Sequence, residues 1–233
     1  MANRDVKIIS TGGLKAAVSD LVGAFAEATG DRLVPMFAAP AVVKGRVEAG
    51  EAVDVAVLSA ALIDDLVRQG KLAAATRIDV SRSRMGLAVR AGAPKPDIST
   101  VEAFKQTMLN AKSIMYTDPK AGGASGVHFA KVIERLGIAD QVNAKTRLNS
   151  GGFNAEFVAR GEIELGIQQV SEIVPVKGAD LAGLFPEELQ NVTTFAAAVC
   201  ASAPEPQGAA GLLRFLKSPA AVRVIEANGM EPC

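Results

Sequence analysis

Three short stretches hold the residue types that can hold an anion. They are Ser10-Thr11-Gly12-Gly13, Ala38-Ala39-Pro40-Ala41 and Gly122-Gly123-Ala124-Ser125-Gly126. Each runs from a strand-like segment into a helix-like one. A helix start presents unpaired backbone N–H groups and about half a positive charge. Small residues let a ligand approach that backbone closely. The candidate ligand-binding residues are Ser10, Thr11, Gly12, Gly13, Ala39, Pro40, Gly123, Ala124, Ser125 and Gly126, with Ser59 at a fourth helix start. His128, the single histidine, lies in the first turn after the Gly-rich stretch. It is the candidate proton carrier. Gln168 and Gln169 end an apolar strand, and at least one amide there reads as a neutral donor to a ligand. Lys120, Arg84 and Arg147 are candidate charged donors, and Tyr116 is a donor or core.

Other chemistries fit less well. The Gly-rich stretch lacks both the Gly-x-Gly-x-x-Gly order and the Gly-Lys-Ser/Thr ending of nucleotide loops. One histidine and no His/Cys/carboxylate cluster give no metal site, and no cofactor is expected. Lys plus Arg (25) balance Asp plus Glu (25), aromatics make up 4%, and no basic tract stands out. Nucleic acid is therefore not the expected partner. No apolar run approaches the ~20 residues of a membrane helix. The start, Met1 to Asp5, has no apolar core of a secretory signal. A cytoplasmic protein and a mature secreted protein with an added Met fit that equally. Cys200 and Cys233 read as free thiols, or as a disulfide tying down the tail.

The elements that must position these residues alternate. Strands are expected at Val6–Ser10, Arg32–Phe37 and Val53–Leu58, with helices at Leu14–Ala28, Pro40–Glu48 and Ala60–Gln69. After a polar stretch, Ser81 to Arg84, strands are expected at Met85–Arg90, Ser113–Tyr116, Thr146–Leu148 and Leu165–Gln169. Helices fall between them, one opened by a Ser99/Glu102 capping box, one at Val127–Leu136 and one at Phe153–Arg160. A strand at Val192–Ala201 and two helices end the chain. The pattern implies α/β architecture with largely parallel sheets and covering helices.

Taken in order, these motifs resemble the molybdate-binding-protein-like type 2 periplasmic solute-binding family. The residues that carry the resemblance run from Ile9 to Gly13, through Phe37-Ala38-Ala39-Pro40, and from Ala52 to Ser59. They continue from Asp118-Pro119 to Leu136-Gly137, in Arg160-Gly161-Glu162 to Ile167, and in Phe215 to Pro219 with Asn228-Gly229-Met230. The resemblance implies the type 2 periplasmic-binding-protein fold. That is two α/β lobes with mixed, mostly parallel sheets joined by two crossover strands, residues 1–82 plus 194–233 and residues 83–193. It also implies a monomer in the periplasm, a small anion bound between the lobes, and an ABC transporter permease as partner. Three hydroxyl donors of molybdate binders fall at Gly13, Pro40 and Gln169, while Ser125 adds one. Charged hydrogen bonds are worth about 1.5–3 kcal/mol each, so the expected ligand is a di- or tricarboxylate rather than molybdate or tungstate. The Gly122 to Phe129 stretch and the Gln168-Gln169 pair resemble the branch that includes aconitate isomerase. Two functions stay open: solute binding, and proton transfer in a polycarboxylate such as aconitate. For the second, His128 is the first acid/base candidate, followed by Ser125, Lys120 and Tyr116.

Overall fold

A computed structural model describes residues 3–233, so Met1 and Ala2, where the first expected lobe begins, lie outside the described residues. The chain forms two compact units. The first holds residues up to Arg82 together with Thr193–Cys233, and the second holds Ser83–Val192.

In the first unit, strands β1 (Asp5–Ser10), β2 (Arg32–Phe37) and β3 (Val55–Ser59) lie parallel in the order β2-β1-β3. Strand β10 (Thr193–Val199) joins β3 antiparallel, and β4 (Ile78–Ser83) and β11 (Glu231–Pro232) complete the sheet. Alternate residues face opposite ways, as the strand period demands. Ile8, Val55, Val57 and Ala197 pack under α1 (Lys15–Thr29), α8 (Pro206–Leu216) and α9 (Pro219–Ala227). Ile9, Ala56, Leu58 and Ala196 pack under α2 (Pro40–Glu48) and α3 (Ala60–Arg68). Both faces are covered, which is why β3 reads as an unbroken apolar run. Asp54, fully buried, pins this sheet by accepting from Lys7 N–H at 2.8 Å and Glu205 N–H at 2.7 Å. Cys200 is a buried free thiol and Cys233 an exposed one. Burial and the Asp54 charge push the Cys200 thiol up to about 12.

The second unit repeats the plan. Strands β6 (Ile114–Thr117), β7 (Thr146–Asn149) and β8 (Leu165–Gln169) lie parallel in the order β7-β6-β8. Strand β5 (Met85–Arg90) joins β8 antiparallel, and β9 (Ala179–Leu184) forms the edge beside β5. Leu87, Ile114, Tyr116 and Ile167 pack against α4 (Val101–Asn110), α5 (Ala124–Arg135) and α6 (Ala139–Asn143). Phe104, Phe129 and Phe185 meet there edge to face. The other face carries α7 (Asn154–Ala159) over Met115 and Ala88.

Three local expectations are corrected. The helix α4 is capped by Thr100, whose hydroxyl accepts from Ala103 N–H at 3.1 Å, not by Ser99. Ser99 is held one residue earlier, its N–H donating to Asp97. The helix after the Gly-rich stretch begins at Ala124, not Val127, so Ala124, Ser125 and Gly126 form its first turn. Strand β9 is unannounced in sequence because Ala179-Asp180-Leu181-Ala182-Gly183-Leu184 has little apolar contrast, and pairing with β5 is what makes it a strand.

Candidate functional site

An open α/β sheet binds ligands beyond the carboxyl ends of its strands, where the strand order reverses. In the first unit that point lies between β1 and β3, since the chain goes out to β2 and returns on the other side. In the second it lies between β6 and β8.

Three helix starts follow the parallel strands of the first unit. After β1, Thr11 precedes a short 3-10 turn, Gly12–Leu14, and makes no side-chain cap. After β2, Ala39 starts α2, and after β3, Ser59 starts α3, again with no side-chain cap. None of the three has an acidic residue in its first turn. The donors there are left to an incoming acceptor. The Thr11 and Ser59 hydroxyls have no protein partner among the described residues. Pro40, at the first helical position, has no N–H of its own, so the open donor of α2 begins at Ala41.

Other residues singled out in this unit do packing work. Ser10 is fully buried and its hydroxyl donates to the Val57 carbonyl at 3.1 Å, tying β1 to β3. A Cβ on Gly13 would lie 2.8 Å from the Phe195 ring. Its small size therefore serves the fit of the turn onto β10.

The second unit is arranged differently. The α5 start, after β6, is uncapped, and the Ser125 hydroxyl in its first turn has no protein partner. A Cβ on Gly126 would come within 2.0 Å of the Thr117 carbonyl oxygen, so this glycine lets α5 rest on the end of β6. A Cβ on Gly123 would lie 3.1 Å from the Thr117 methyl, a tight contact rather than a clash. The start of α7 is closed by Gln168, whose Oε1 accepts from Ala155 N–H at 2.8 Å. The turn after β8 is closed by a reciprocal capping box between Gln169 and Glu172. Desolvation raises the Glu172 carboxyl to about 7, opposed only by its bond from Gln169 N–H.

His128 is half-buried, and its Nε2 lies 2.7 Å from the Leu189 carbonyl. A carbonyl only accepts, so Nε2 carries the proton and Nδ1 is the remaining nitrogen. The histidine thus ties α5 to the 3-10 turn Glu187–Leu189. Tyr116 is core, its phenol donating to Asn143 Oδ1 at 3.2 Å and pushed up by burial. Arg84 pairs with Glu187 at 3.0 Å, and Arg147 pairs with Glu162 at 3.6 Å while stacking over Phe157. Lys120 is exposed, and its backbone N–H is bound by Asp118. Glu172 was missed in sequence because a lone Glu in a turn carries no signal, and only its burial makes it titrate unusually.

A groove of about 860 Å³ lies at the amino ends of β6 and β8, away from the α5 start, lined by Arg90, Lys95, Lys112, Ser113 and Glu164 among others. None of the sequence-predicted site residues lines it. Among the described residues, no group of three or more His, Cys, Asp or Glu is placed to hold a metal ion. No described helix is long and apolar enough to cross a membrane.

Comparison with known proteins narrows the reading. The sequence pattern described as bacterial extracellular solute-binding protein matches residues 6–231. An aconitate isomerase from Pseudomonas sp is 35% identical over 231 residues, covering 97% of this chain and 87% of the relative. The periplasmic molybdate-binding protein of Azotobacter vinelandii superposes with a TM-score of 0.80 at 18% identity, covering 97% of this chain and 98% of that one. The substrate-binding domain of a putative molybdenum ABC transporter from Clostridium difficile gives 0.74 at 16% identity, covering 98% and 99%. The two structural likenesses establish the type 2 periplasmic-binding-protein fold, and the sequence match assigns the lineage: the chain belongs to the bacterial extracellular solute-binding protein family, in the branch that includes aconitate isomerase.

Proposed function

We propose that the protein binds a small polycarboxylate through backbone N–H groups at open helix starts. The observation that carries this is the set of helix starts after β1, β2, β3 and β6, none closed by a side chain or an acidic first turn. Thr11 and Ser59 in the first unit, and Ser125 in the second, each add a hydroxyl donor beside the N–H groups of their own helix start. Ser10, Gly13 and Gly126 also pack the elements that carry these starts. As a binding protein it would work outside the cytoplasm and hand its ligand to an ABC transporter permease.

Titration calorimetry of the purified protein tests this against cis- and trans-aconitate, citrate, tricarballylate, succinate, molybdate and sulfate. One-to-one binding of at least one polycarboxylate, tighter than molybdate or sulfate, is expected. Preference for a tetrahedral oxyanion, or no polycarboxylate binding, would overturn it.

A second reading is favoured by the isomerase relative at 35% identity. Here the bound aconitate loses a proton from its methylene carbon to a protein base. The double bond migrates through an allylic carbanion, and a proton returns at the far carbon. The base must exchange a proton near neutral pH. Glu172, raised to about 7 beside the end of β8, has that property. His128, the other acid/base candidate, ties α5 to Leu189 through Nε2 and in this reading leaves the proton transfer to Glu172. Proton NMR of cis-aconitate with the enzyme in D2O should show trans-aconitate carrying deuterium. Unchanged substrate at stoichiometric enzyme would leave binding alone.

A further inference from the structure

Gln168 carries an amide nitrogen with nothing to bond. The residue is 0% exposed. Its Nε2 is the one buried side-chain nitrogen or oxygen without a partner among the described residues. The other end of the amide is fixed, because Oε1 accepts from Ala155 N–H at 2.8 Å. Turning the group over would set its NH2 against that N–H, donor against donor. The neighbouring amides are locked too. Asn154 Nδ2 donates to the Ile167 carbonyl, Asn154 Oδ1 accepts from Asn149 Nδ2, and Asn149 Oδ1 accepts from Gly151 N–H.

Buried polar groups are almost always paired, and one left unmet destabilises the fold. The place of this one is informative. Tyr116 pairs with Ile167 in the parallel ladder, so the next residues along, Thr117 and Gln168, stand at the carboxyl edge of β6 and β8. Helix α5 rests on the Thr117 carbonyl through Gly126 and starts there, uncapped, with Ser125 in its first turn. The unmet donor and the open helix start therefore stand at the same end of the same sheet, the amide on the face that α7 covers.

We propose that Gln168 Nε2 donates to one carboxylate of the ligand and so decides which polycarboxylates are accepted. This rests on the polycarboxylate reading above. A neutral amide strengthens when its acceptor is charged, and it adds no charge that would hold the anion too long. A site built around a buried donor also rejects an analogue lacking the matching acceptor, because the donor then stays unmet. Since the amide has no exposed surface here, binding includes a local rearrangement around it.

The test compares wild type with Gln168→Met, which removes the donor, and Gln168→Glu, which removes it but keeps an oxygen for Ala155 N–H. Affinity for the best polycarboxylate found by calorimetry should fall about 10- to 100-fold in both, the loss of one hydrogen bond to a charged group. The side-chain NH2 signals of Gln168, identified by their absence in the variants, should shift when that polycarboxylate saturates wild type. Wild type that binds no polycarboxylate defeats the parent reading, and this one with it. Wild type that binds, with both variants binding as tightly and only melting earlier, shows that the nitrogen does not touch the ligand, and defeats this proposal alone.

Discussion

The two units share the order of their three parallel strands with an antiparallel strand beside them, yet they treat most of their helix starts differently. In the first, all three starts that follow parallel strands are open, and the residues there are Thr11, Ala39 and Ser59. In the second, only α5 is open, while Gln168 closes α7 and the Gln169–Glu172 box closes the turn after β8. The first unit thus offers backbone donors with little side-chain chemistry. The second closes two of its three starts with its own side chains, and besides the open α5 start it holds a buried amide nitrogen and a carboxyl raised to about 7.

The sharpest way to break this contrast is at Gly126. If it serves the seating of α5 on Thr117, Gly126→Ala should cost about 3 kcal/mol of unfolding free energy in urea, with Gly151→Ala near zero, since a Cβ there meets nothing. A stable Gly126→Ala that loses only ligand affinity would return this glycine to the ligand surface. The next largest effect is on binding by the first unit. Thr11→Val and Ser59→Ala should each weaken polycarboxylate binding by about 1.5 kcal/mol, roughly tenfold, with melting temperature unchanged. Ser10→Ala should do the reverse, lowering stability by about 1 kcal/mol while sparing affinity, because its hydroxyl is committed to Val57.

The carboxyl in the second unit predicts a pH signature. Glu172 titrates near its ordinary value when unfolded and at about 7 when folded. Between those values the folded state holds the extra proton, so stability is greatest below the ordinary value and falls as pH rises toward 7. Glu172→Gln, which can still accept from Gln169 N–H, should flatten that fall in denaturant titrations at pH 4.5 and 7.5. The smallest effect concerns His128. Gln at this position can still donate to the Leu189 carbonyl, so His128→Gln should leave any aconitate turnover within about threefold and stability within about 1 kcal/mol. A loss of turnover a hundred times larger, with the fold intact, would make the histidine the proton carrier.

Much of the fold could be read from the sequence because apolar strands and periodic helices are punctuated by glycines. Gly30, Gly50, Gly70, Gly137 and Gly161 all sit at positive φ just past helices, as the pattern required. The site was less legible, for a physical reason. A glycine that admits a ligand and a glycine that admits a neighbouring side chain or helix look alike in sequence: Gly13 leaves room for the Phe195 ring, and Gly126 for the seat of α5 on Thr117. Ser10 and Thr11 are adjacent and chemically similar. Strand alternation sends the first hydroxyl inward to Val57, while the second stays free. Gln168 was visible as an odd amide in an apolar strand. That its oxygen would be used and its nitrogen left depends on Ala155, which only the packing of α7 on β8 brings near.

The central claim is that a polycarboxylate is held by backbone N–H groups at the open helix starts. Amide chemical-shift mapping by 1H–15N NMR, with trans-aconitate added to the intact protein, tests it most directly. The account predicts the largest shifts at the amides of Gly12, Ala41, Ala60 and Ser125, with downfield movement as each gains a charged acceptor. Saturable shifts confined to the Arg90, Lys95 and Lys112 groove, with those four amides unmoved, would contradict it.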